Sequence, residues 1–268
     1  AQVAALTEDQ LQSLTGAQLS ALDTADMAVL STDQLAGLST AQVAGLSTAH
    51  VAALTTNQMS SLSAAQVGAL TSAQVVAMTT AQFANLTVDQ VAAMGTAQVR
   101  AIQTNDLQAL TTAQIAAMSS QQVAALSSSQ VPALTTAQVA AIDPQDLAAM
   151  ATSELTKLTS AQVRALSTDQ VQGLTSSQVA ALTSGQIVAL TTAQVASIDA
   201  VDLAALSTLS LSRLSTEQVA ALTTAQLQAL SSAQFVALSS TQLAALGSAQ
   251  LAAVDAEDLA ALDTGAIS

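Results

Sequence analysis

The sequence predicts an all-α solenoid, a superhelix of very short helices with one helix in every eight residues. Three observations predict it. An apolar residue returns at every eighth position without insertion or deletion. A helix-capping signature holds the same register throughout. Aromatic and charged side chains, the usual material of a globular core and surface, are nearly absent: Phe83 and Phe235 are the only aromatics, and charged residues make up 8% of the 268. An internal repeat of this kind decides the architecture before any residue-level reading does.

The repeat is clearest in "LTTAQVAAIDPQDLAAM", Leu134 to Met150. With the recurrent Leu as position 1, that position falls at residues 6, 14, 22 and onward to 262, and is Leu, Met, Ile or Val in all 33 instances. Position 6 is equally apolar, as at Val43, Val51, Met59, Val67, Phe83, Leu107, Leu147, Ile187 and Phe235. Positions 7 and 8 are mostly Ala, small enough for backbones to approach. Position 2 is Ser, Thr or Asp in 29 of 33 units, the exceptions being Gly95, Gln103, Ala151 and Gly247. Position 5 is Gln in 25 of 34.

Ser, Thr or Asp followed three residues later by Gln or an acid is a capping box. The first side chain accepts from an orphan N–H of the new helix, and the second reaches back to the cap's own N–H. With position 2 as N-cap, positions 1 and 6 become the two halves of a hydrophobic staple. In the same register Asp143 caps, Pro144 falls at the first helical position and Asp146 sits in the electropositive first turn. Each octad therefore starts a new helix of about one and a half turns. Helices this short persist only if neighbours bury their apolar side chains, which is the logic of a solenoid.

Other architectures fit less well. One continuous helix would rotate its Leu stripe by about 80° per octad, and Pro132 and Pro144 would interrupt it. A β-solenoid suits an even period, but Ala and Gln are poor strand formers. Disorder is at odds with a strict apolar pattern. Pro132 lies at position 7, inside its expected helix, and should distort that unit. The solenoid is expected to run over residues 1–268. The opening "AQVAAL" starts in mid-octad, which reads as an excerpt of a longer protein. The closing "LDTGAIS" is only weakly atypical, where a solenoid end normally carries a polar cap.

A longer repeat overlies the octads in the C-terminal half. "IDPQDLAA" at 142, "IDAVDLAA" at 198 and "VDAEDLAA" at 254 recur at intervals of seven octads. The octads after the first two, "MATSELTK" and "LSTLSLSR", both lack Gln at position 5 and end in a cation, Lys157 and Arg213. Two readings stand. Seven octads make about one superhelical turn, or the block is a duplication without structural phase.

The net charge of −14, opposed only by Arg100, Lys157, Arg164 and Arg213, argues against nucleic acid, which needs clustered cations, and against an anionic membrane surface. No apolar run approaches the ~18 residues of a membrane span, so no membrane insertion is expected. Without cysteine there is no disulfide framework. Weak calcium candidates are Asp143, Asp146, Asp199, Asp202, Asp255 and Asp258, with Asp23 and Asp26 a similar pair. Two carboxylates per octad supply too few oxygens for calcium, so caps and first-turn acids are the plainer reading, and no metal or cofactor is expected. His50, the single histidine, replaces Gln at position 5 and reads as a capping substitute. Met78, Met94, Met118 and Met150 occupy position 1 and read as core. The four cations read as exposed departures from Ala. No position escapes the repeat as a catalytic residue should, so an enzyme is not expected.

The recurring "LTTAQ", as at Leu110–Gln114 and Leu134–Gln138, resembles the octapeptide-repeat regions of very large proteobacterial secreted adhesins and RTX-like proteins, some labelled "heme utilization/adhesion". The resemblance covers the whole chain. It implies an exported, extended, non-catalytic segment delivered to the cell surface or outside by type I secretion. The heme label finds no support in one histidine and core methionines. The expected function is a stalk, spacer or filament body, whose partners are copies of itself or other domains of the same long protein. The alternative is a binding module that uses the repetitive Ser/Thr/Gln face for a glycan, a protein partner or ice. The direction of the position-3 threonines separates the two: one flat exposed row favours ligand binding, and a curved row favours a scaffold.

Overall fold

The computed structural model describes residues 3–262, so all of "LDTGAIS" but Leu262 lies outside the described residues. Among them every regular element is a helix. There are 31 α-helices of four to six residues and two 3-10 turns. Helices begin at position 3 and end at position 6, 7 or 8, as expected: Thr48–Ala53 is followed by Thr56–Ser61, and Thr216–Ala220 by Thr224–Ala229.

The turn between helices needs no glycine. Positions 1 and 2 are both extended, as in Leu54 (φ −60°, ψ 135°) and Thr55 (φ −67°, ψ 161°). No described residue has positive φ. Two extended residues after each helix swing the chain into the next one. The 33 helical elements among the described residues therefore follow one another with few glycines, nine in the whole sequence. The capping box forms as predicted. At Gln58 the backbone N–H donates to Thr55 Oγ1 (3.2 Å), while the Gln58 side chain accepts from the Thr55 N–H (2.7 Å).

Pro132 has the predicted effect. Lacking an N–H, it cannot donate to the helix carbonyl four residues back. Its octad forms a turn and a 3-10 segment, Val131–Ala133, in place of an α-helix.

The contacts divide the chain into two compact units, Ala1–Ile142 and Asp143–Ser268. Within each, a helix packs on the helix three octads away. In the first, Thr48–Ala53 packs on Ser72–Ala77; in the second, Ala200–Ala204 packs on Thr224–Ala229. Side-chain hydrogen bonds between turns link residues 28 to 31 apart. The chain thus passes over itself about every three and a half octads. This corrects the first of the two readings, one turn per seven octads: a seven-octad block is about two turns, and an octad regains its angular place only on the second.

The core runs along the inside of each winding and consists of positions 1 and 6. Phe83, Phe235, Met59, Leu107, Leu147 and Ile187 are completely buried, and Met78, Met94, Met118 and Met150 are nearly so. Small residues at positions 7 and 8 permit close passage of the turns. A Cβ built on Gly68 would lie 2.7 Å from the carbonyl oxygen of Ala93.

Candidate functional site

The most constrained polar feature is buried. Gln at position 5 was expected to complete the capping box; it also holds one turn of the winding to the next. Gln90, 1% exposed, accepts from the Thr87 N–H through Oε1 at 2.7 Å. Its Nε2 donates to the carbonyls of Met59 (2.9 Å) and Leu62 (2.7 Å). In the second unit Gln226 accepts from Thr223 N and donates to Val195 O and Ile198 O. Position 1 is extended and its carbonyl lies beyond the helix ladder, while the position-6 carbonyl, at a helix end, accepts one backbone N–H, as Met59 does from Leu62 (3.3 Å), and has room for a second donor. Such groups need partners when buried. One amide therefore serves the first N–H of its own helix and the last carbonyls of the helix a turn earlier.

Sequence reasoning missed this second role, although a signal was present. A capping box accepts Glu as readily as Gln, yet position 5 is Glu only at Glu154. A strict preference for the amide means that its N–H₂ donates.

Acids at position 5 follow another rule. Asp106 Oδ1 accepts from Thr80 Oγ1 (2.6 Å), Asp258 from Ser232 Oγ (2.6 Å), and Asp202 from Ser176 Oγ. In each pair the hydroxyl is at position 3, 26 residues earlier. A carboxylate is shorter than Gln and only accepts, so it takes the hydroxyl that lies nearer. Among the position-2 acids, Asp143 caps through the Gln145 N–H (2.8 Å) and Asp23 through the Asp26 N–H (2.7 Å). Asp199 and Asp255 occupy the N-cap without a side-chain cap bond, which corrects the expectation that they cap; Gln172 Nε2 instead donates to Asp199 at 3.4 Å. Asp146 is half-buried in the first turn of Pro144–Ala148. Each of the six calcium candidates thus keeps its place in its own octad, and no three Asp, Glu or His among the described residues gather to hold a metal.

His50 substitutes for Gln only in part. Its backbone N–H donates to Ser47 Oγ (3.1 Å), but its ring does not reach back to the Ser47 N–H. Nε2 instead meets the Leu22 carbonyl at 2.9 Å, the bond to the neighbouring turn. A carbonyl only accepts, so Nε2 carries the hydrogen. The other ring nitrogen is buried without a partner. Arg100, Lys157, Arg164 and Arg213 are exposed as predicted.

The outer surface is made chiefly of positions 2, 3 and 4, with much of position 7. Thr32, Thr40, Thr48, Thr96, Thr112 and Thr168 at position 3 are all exposed. Because consecutive turns are half an octad out of step, these hydroxyls do not stack into one row. Surface depressions lie beside Glu8, Asp9 and Gln34 in the first unit and beside Arg164, Gly185 and Val188 in the second. Among the described residues no helix is long and apolar enough to cross a membrane.

No curated protein matches the chain. The family model described as the ALTTAQ repeat matches six times, at residues 19–56, 51–88, 99–136, 139–176, 195–232 and 224–256. The matched segments cover well over half of the sequence and follow the octads whose caps and amide bridges are described above. The chain belongs to the ALTTAQ repeat family.

Proposed function

We propose that the chain is a non-catalytic structural segment, a stalk, spacer or filament body, of a bacterial surface or secreted protein of the adhesin or RTX-like kind. The observation that carries this reading is the use of nearly every position by the fold itself. Positions 1 and 6 fill the core, position 2 caps, and position 5 bridges the turns. What remains outside is small, polar and repetitive. The mechanism is geometric: uniform units set a length and hold other domains of the same protein, or copies of the chain, at a distance. A net charge of −14 keeps such segments apart from one another.

A binding module is the second reading, favoured by the exposed position-3 threonines. The half-octad offset between turns weighs against it, since a ligand read by a flat hydroxyl row would find the row broken at each turn. The test is to delete one seven-octad block, positions 143–198, from the host protein. A spacer loses reach in proportion, with the attachment of distal domains intact. A binding module loses affinity for glycan, protein or ice. Surface labelling of intact cells tests the location, and labelling only after lysis would overturn it.

A further inference from the structure

Within the second unit the amide bridges between turns are interrupted at two consecutive octads, and once more at Asp258 near its end. Gln178, Gln186 and Gln194 each donate to a carbonyl of the preceding turn, and the pattern resumes from Gln218 to Gln250. Between them stand Asp202 and Ser210. Neither has an amide to donate. Asp202 accepts the Ser176 hydroxyl, and the Ser210 hydroxyl pairs with that of Ser207 at 2.9 Å. The position-1 carbonyls that an amide at these two sites would reach, those of Leu174 and Leu182, therefore receive no glutamine from the turn that follows, at two consecutive octads.

The packing changes at the second of these octads. The helix of the double-acid octad, Ala200–Ala204, still packs well on the helix three octads before it, Ser176–Ala180, but Ser184–Ala189 and Thr208–Leu211, also three octads apart, touch little. Thr208–Leu211 is a four-residue helix, shorter than its neighbours. Val188 on Ser184–Ala189 is 52% exposed and Leu209 on Thr208–Leu211 61%. The same pair of octads, a double acid and then a unit without Gln at position 5, occurs seven octads earlier, at 142–157. There the chain passes from its first compact unit to its second.

We propose that the double-acid octad and its successor form a yielding seam, at which one turn of the solenoid lifts from the turn before it more readily than elsewhere in the unit. The seven-octad block is then a mechanical unit of two turns, and the chain extends block by block under load. The seam arises from chemistry at position 5 alone. Replacing an amide by an acceptor or a short hydroxyl removes bonds between turns without disturbing the core at positions 1 and 6, where Leu203 and Leu211 remain fully buried.

Hydrogen exchange on the full chain tests this. Amides of residues 199–213 should exchange on the order of tenfold to a hundredfold faster than those of 223–238, as expected for the loss of two or three net hydrogen bonds from the local opening energy. The double variant Asp202→Gln with Ser210→Gln should remove the difference. The reciprocal variant, Gln226→Asp with Gln234→Ser, should create a fast-exchanging segment at 223–238. Equal protection of the two segments in the unaltered chain overturns the proposal, as does a difference that survives the restored amides in a folded variant. If the restored variant does not fold, the reciprocal one decides, and unchanged protection at 223–238 overturns the seam.

Discussion

The side-chain amide of Gln90 donates to the carbonyl of Leu62 at 2.7 Å, across 28 residues of chain. A single turn of the solenoid lies between donor and acceptor. This bond does for stacked helices what a ladder bond does for strands, and it comes from a side chain because the helix backbones are occupied with their own hydrogen bonds.

Gln90→Glu keeps the acceptor that serves Thr87 but places a carboxylate where an N–H₂ faces two carbonyls. A buried polar group left without its partner costs about 1–3 kcal/mol, and more when charged. Urea unfolding should show a loss of at least this size near neutral pH, partly recovered in acid, where the neutral carboxyl donates. Gln10→Glu should cost little, because Gln10 is exposed and only its capping bonds are seen. Equal losses at both sites would remove the bridging role from the account.

His50→Gln should stabilise the chain. The substitution restores the bond to the Ser47 N–H and removes the unpartnered buried ring nitrogen. One recovered hydrogen bond is worth about 0.5–1.5 kcal/mol, to be read as a higher urea midpoint at an unchanged slope. A lower midpoint would mean that the imidazole packs better than the amide of the other octads.

Gly68→Ala should destabilise, because the new methyl group would sit 2.7 Å from the Ala93 carbonyl oxygen and force the two turns apart. Overpacking of this kind costs roughly 1–3 kcal/mol. Gly95→Ala meets only the flexible end of Gln98, at 3.6 Å, and serves as the control. Thermal unfolding that ranks the two the other way would contradict the close approach of backbones at position 7.

Glu217, in the first turn of Thr216–Ala220, has a carboxyl pKa below the ordinary 4.5. The first cause is the backbone N–H it accepts from, then the hydroxyl of Ser215. A depressed folded value means that its contribution is present above the unfolded pKa and fades as pH falls through the folded one. An NMR titration should place the Glu217 midpoint below that of a free glutamate, and Ser215→Ala should raise it. A midpoint at or above the free value would contradict the assignment.

Much of this fold was legible because each local rule agreed with the others. Position 2 reads as a cap, Pro144 as a first helical residue and Pro132 as a disruption, and each depends only on neighbours within a few residues. The turn of three and a half octads was not legible. It depends on how two extended residues, such as Leu54 and Thr55, redirect one helix into the next, and no residue type encodes that angle. The amide bridge was half legible. Position 5 advertised a preference for Gln over Glu, but its partner lies 28 residues away and is a backbone carbonyl, which has no identity in the sequence. The pairing of Asp106 with Thr80 was hidden for the same reason: the 26-residue spacing has no meaning until the turn length is known.

The chain returns to itself about every three and a half octads. Ser72 and Ala97 test it most directly, since Ser72 Oγ donates to the Ala97 carbonyl at 3.4 Å in the exposed wall of the first unit. Spin labels attached through Ser72→Cys and Ala97→Cys should approach closely enough to broaden the room-temperature spectrum by direct dipolar coupling. A continuous helix would hold the same residues about 37 Å apart at 1.5 Å per residue. A pulsed measurement that returned that distance, with no broadening, would contradict the solenoid.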